Sequence, residues 1–79
     1  MDINEQEQQK FLAEQLEWCR KQDAILAEIE RTLYEMKAIA EHAAKTDLHP
    51  NEIVILNQQL DDLKKKVQSL EKQLHAIVH

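Results

Sequence analysis

The chain has no glycine, one proline and one cysteine in 79 residues. Each scarcity removes a class of structure. Glycine supplies the left-handed backbone of tight hairpin turns, so its absence argues against a β-rich fold and against a glycine-rich loop around phosphates. Cys19 is alone, so no disulfide can staple the chain, and a lone thiol suits a reducing compartment. Phe11, Trp18 and Tyr34 are the full aromatic set, fewer than a conventional globular core uses. No apolar run approaches the roughly 18 residues that span a bilayer. The start, Met1-Asp2-Ile3-Asn4-Glu5, lacks the basic residues and apolar stretch of a secretory leader. The expectation is a cytoplasmic protein with no membrane partner.

Basic charge is also in short supply, and the formal net charge is −5. Phosphate backbones are bound by a concentrated basic face, so nucleic acid is not expected as a main partner. The one basic cluster, Lys64-Lys65-Lys66, reads as a solvated helix surface. Lys66 is placed to pair with Glu71 of a parallel partner helix.

Against these absences stands one strong pattern. Ile53, Leu56, Leu60, Leu63, Val67, Leu70, Leu74 and Ile77 step by three and four without a miss. With Ile53, Leu60, Val67 and Leu74 at a, the others fall at d. A seam repeating every 3.5 residues is what one helix needs to wind around another. The spacing predicts a helix over about 50–78.

Gln, Glu, Ala, Leu and Lys, all strong helix formers, dominate the segment before it and predict a helix over about 5–45. Its apolar stripe is wider. The pairs Phe11-Leu12, Trp18-Cys19, Ile25-Leu26 and Ile39-Ala40, with Leu16, Ile29, Leu33, Met36 and Ala43, fill a, d and g positions. A stripe of that width suits a helix touching two neighbours. Gln15 and Gln22 stand at d and weaken the N-terminal part.

The one credible break is a turn over about 46–49. Thr46 or Asp47 can cap the second helix and Pro50 fits its first turn; a start at His49, with Glu52 three residues on, is the rival. A connection this short joins antiparallel helices. The fold class is therefore all-α, a single antiparallel two-helix hairpin with coiled-coil-like packing over residues 1–79. Arms of about 40 and 29 residues leave the first overhanging by roughly 15 Å. That overhang carries Phe11, Leu12 and Trp18, and exposed apolar residues there mark an interface. Small chains generally need another copy or a staple to be stable. A two-fold dimer forming a helical bundle is the simplest closure; self-pairing of the second helix is the competing one. The expected interface set is Phe11, Leu12 and Trp18 on the overhang, Leu26, Ile29, Leu33 and Met36 further along, and the eight seam residues.

Catalytic chemistry finds little support. Ser69, the one serine, adjoins Leu70 with no His–acid support. His75 and His79 are four apart, but an i, i+4 pair usually needs further ligands to hold a metal. His42 and His49 lie near the turn. Glu28, Glu30, Glu35 and Glu41 are spread around the first helix, without an apolar pocket to shift a pKa. Glu17–Lys21 and Glu41–Lys45 read as ordinary surface pairs. No metal and no cofactor are implied.

From Leu48 to Asp61 the chain reads Leu-His-Pro-Asn-Glu-Ile-Val-Ile-Leu-Asn-Gln-Gln-Leu-Asp. This stretch resembles the turn and second helix of the small sporulation aspartyl-phosphate phosphatases of bacilli. Those are helical hairpins with a Ser-Gln-Glu-Leu-Asp signature, met here by Asn57-Gln58-Gln59-Leu60-Asp61. Asn57 stands at the signature serine and Gln59 at its glutamate. The resemblance implies docking on a response-regulator receiver domain, with Gln58 and Asp61 as functional positions beside Asn57. The residues themselves lead to a different first expectation: a non-enzymatic, self-associating adaptor, regulator or inhibitor that binds another protein. A structural subunit of a larger assembly is the remaining alternative.

Overall fold

The computed structural model describes residues 3–78, with side chains from Asn4 onward. Met1, Asp2 and His79 lie outside the described residues, and with His79 the expected His75–His79 pair. The architecture is all-helical. Helix α1 runs over Ile3–Lys45 and helix α2 over Pro50–Val78, packed against each other as an antiparallel hairpin. The hairpin is a rod of 72 × 19 × 12 Å. Neither glycine nor proline interrupts α1 over its 43 residues, so nothing removes a backbone bond or loosens a turn.

The turn is built around Pro50. A proline disfavours the helical region for the residue before it, which holds His49 out of α2. The amides of Glu52 and Ile53 donate to the His49 carbonyl at 2.9 and 3.1 Å. His49 is thus the N-cap residue, and the missing N–H of Pro50 at the first helical position costs nothing. The start at His49 is the one used, ahead of a cap at Thr46 or Asp47.

The register is fixed at the open end. Trp18 Nε1 donates to the carbonyl of Ile77 at 2.8 Å. That carbonyl belongs to the last turn of α2, where no intrahelical amide remains to satisfy it. Trp18 therefore closes the hairpin from across the seam. It does not belong to the free overhang, which is α1 from Ile3 to Glu17, about 22 Å long at 1.5 Å per residue. Trp18→Phe is expected to cost about 0.5–1.5 kcal/mol and to speed amide exchange in the last turn of α2. Unchanged exchange there would show that the indole contributes nothing.

The seam follows the heptads on α2. Leu56, Leu60, Leu63, Val67, Leu70, Leu74 and Ile77 are half-buried against α1, and Ile53, near the turn, is exposed. On α1 the half-buried residues are Gln22, Ile25, Glu28, Ile29, Met36 and Ile39, with Thr32 among them fully buried. Thr32 sits at the level of Leu63. Its hydroxyl donates to the carbonyl of Glu28 at 2.8 Å, the back-bond by which a threonine satisfies itself inside a helix. Among the described residues no apolar side chain is fully buried.

Candidate functional site

Two helices side by side leave two broad faces, one on each side of their common plane. Helical periodicity decides what each face carries. The inward residues of α1 occupy d and g positions, so one flank of α1 is its c row and the other its a row. Lys66 Nζ reaches across the seam to Glu28 Oε1 at 2.8 Å, which places the g row of α2 on the same face as the c row of α1. Arg31 also pairs with Glu28, and Glu35, Gln59 and Asp62 line a shallow groove on this side with Ile39 and Leu63. One broad face is therefore polar and bridged by charge.

The opposite face carries the a row of α1. Here Leu12 is 65% exposed, Leu26 44% and Leu33 50%, with exposed Cys19 in line between them; Leu16, 53% exposed, stands beside the row at e, as do exposed Asp23 and Glu30. Phe11, at 59%, borders the row on the overhang. From Leu12 to Leu33 the row is about 32 Å long. The neighbouring surface of α2 on this face is polar: Asn57, Asp61, Lys64, Gln68 and Glu71 occupy its e and b positions, all exposed. The apolar row is thus a ridge along one helix, with a charged shoulder beside it.

Comparison with protein-family models, with curated proteins and with solved structures returned no match. The geometry of the chain itself carries the functional argument.

The expected interface set divides in two. Ile29 and Met36, with the α2 residues from Leu56 to Ile77, line the seam within one hairpin. Phe11, Leu12, Leu26 and Leu33 stand outside it, and Leu16 joins them. Trp18 sits between the groups, capping α2. Within the single hairpin the seam of α2 is occupied by α1, and Lys66 is bonded to Glu28 of its own chain. Glu41 pairs with Lys37 at 3.9 Å, on the turn before it, while the sequence pointed to Lys45.

Asn57, Gln58 and Asp61 are exposed on the first half of α2. Gln58 Nε2 donates to Asp62 Oδ1 at 3.0 Å. Asp61 Oδ2 takes Lys65 at 3.1 Å, and that bond pushes the lysine's pKa up. Asn57 and Asp61 share the broad face with Leu33; Gln58 points to the outer edge. Among the described residues no group of three or more His, Cys, Asp or Glu could hold a metal ion. No helix is long and apolar enough to cross a membrane.

The Glu28–Lys66 bridge is a feature that heptad reading missed, because both residues lie beside the apolar positions. The hydrogen bond from Lys66 holds the Glu28 carboxyl below the usual range. The same bond raises the Lys66 ammonium. A depressed carboxylate stabilises the fold above its unfolded value of 4.5 and loses that stabilisation as pH falls through the folded one. A raised lysine does the reverse, losing its contribution only as pH climbs past 10.5. The melting temperature of Glu28→Gln should therefore lie below that of the natural chain at pH 7, with the difference closing below pH 4.5. A gap that stays constant in melts down to pH 3 would mean the bridge does not stabilise the hairpin.

Proposed function

We propose that the chain is a protein–protein interaction module: a small cytoplasmic adaptor or regulator, without catalytic chemistry of its own, that works as a self-associated helical hairpin. One observation carries this reading. Leu12, Leu16, Leu26 and Leu33 lie in water along one broad face, while no apolar side chain among the described residues is fully buried. Large exposed apolar patches mark interaction sites, and a two-helix hairpin gains most by covering one. Molar mass from light scattering over a wide concentration range tests it. A dimer or larger species is expected; a helical monomer at every concentration would overturn self-association.

A second reading, phosphatase action on a phosphorylated response regulator, draws on Asp61. Its carboxylate is exposed on α2, on the same broad face as Leu33, where a receiver domain could meet both. The reading predicts loss of phosphoaspartate from a receiver domain, abolished by Asp61→Asn and by Gln58→Ala. Receiver domains that keep their phosphate in its presence would dismiss it.

A further inference from the structure

We infer that α1 has two packings on α2, related by a rotation about its own axis, and that Leu26 and Leu33 face α2 in the second. The inference concerns one hairpin and stands whether or not the chain self-associates. Three features lead to it.

The first is that α1 is apolar on one row more than its seam uses. In a heptad the a and g rows flank the d row at about 50° on either side. The observed packing sets α2 between d and g. A rotation of about 50° sets it between d and a. Ile29 and Met36, at d, face α2 in both. Ile25 then gives way to Leu26, and Thr32, buried at 0% exposure, to Leu33. The middle of the seam exchanges a hydroxyl for a leucine. Its ends lose bulk, with Cys19 in place of Trp18 and Ala40 in place of Ile39.

The second is charge. Lys66 reaches Glu28 at 2.8 Å, from the g row of α2 to the c row of α1. The rotation carries the c row away and brings the e row of α1 to the e row of α2. Glu30 and Lys64 stand there at one level, each two residues from its counterpart in the first bridge and both exposed. Among the described residues neither takes part in an ion pair in the observed packing. One Glu–Lys bridge is thus exchanged for another. Exposed Asp23 and Glu71 also come level, a like-charge pair, and the bond from Trp18 to the Ile77 carbonyl is given up. Both effects leave the observed packing the lower in energy.

The third is the shallowness of the seam. No apolar side chain among the described residues is fully buried, so no knob is enclosed that a rotation would have to extract. The result is a switch: the row is open in one packing and covered in the other. A ligand of the row selects the observed packing.

Thiol reactivity reads the rotation, because neighbouring positions exchange places. In a Cys19→Ser background, Ile25→Cys and Leu26→Cys are each treated with N-ethylmaleimide. With Thr32 in place, the thiol at 26 should react fast and the one at 25 slowly. Thr32→Asp sets a carboxylate against Leu63 in the observed packing and at the solvated flank in the second. It should keep the helical circular dichroism and reverse the order, slowing position 26 about tenfold if the second packing then holds nine-tenths of the chains. Leu33→Asp, which bars the second packing, should keep the original order. Thr32→Asp that stays helical with the order unchanged would overturn the inference. So would loss of helicity with both thiols fast, since one packing alone would then exist. Slow reaction at both positions, found only at high concentration, would overturn it too, because association would then cover the row without rotation.

Discussion

Replacing Leu12 and Leu26 with aspartate is expected to leave both helices formed and to reduce the assembly to single hairpins. Both residues are exposed on α1 and take no part in the seam, so the hairpin loses no packing within one chain. Each substitution would put a carboxylate into the apolar row that the proposed self-association covers. Burying a charge there costs several kcal/mol, and a dimer meets that cost in both copies. Far-UV circular dichroism should keep its helical signature while light scattering gives the mass of one chain. A variant that stays dimeric would remove the leucine row from the interface.

The hairpin is legible in the sequence, but the orientation of its first helix is not. On α2 every a and d position is apolar, so only one face can turn inward, and Pro50 marks where the helix starts. On α1 apolar residues fill three heptad positions, and two choices of inward face compete. Counting apolar side chains favours the face with Leu26 and Leu33. The structure turns α1 the other way, placing Gln22 and Thr32 in the seam and leaving those leucines in water. Two contacts hold that rotation: the Trp18 indole on the Ile77 carbonyl and Lys66 on Glu28. Both join residues far apart in sequence through groups that hydrophobic periodicity ignores. Thr32 tolerates full burial because its hydroxyl bonds to the carbonyl one turn back, which a polarity scale cannot register. The width of the stripe on α1 left open which of its apolar residues face α2; that depended on the rotation.

Replacing Leu63 and Leu70 with aspartate should act on a different surface and with a larger effect. Both are half-buried d positions in the middle of α2, facing α1. Each loses roughly 1 kcal/mol of apolar burial and about 0.5 kcal/mol of helix propensity, before any penalty for a carboxylate facing an apolar helix. The pair therefore removes about 3 kcal/mol or more. Folded domains carry only about 0.05–0.15 kcal/mol per residue, and a hairpin without one fully buried apolar side chain belongs at the low end of that range. The seam should open, helical circular dichroism should fall, and Trp18 emission should shift to the red as its contact with the end of α2 is lost. Assembly should fail as well, because the broad face exists only while α1 and α2 are held side by side. Leu63→Ala with Leu70→Ala should be intermediate, with a lower melting temperature and a fold retained in the cold. If the aspartate pair left both helicity and mass unchanged, the seam would not be what holds the two helices together. The contrast with Leu12 and Leu26 then separates the two apolar surfaces of one chain: one makes the hairpin, and the other stands outside it in water.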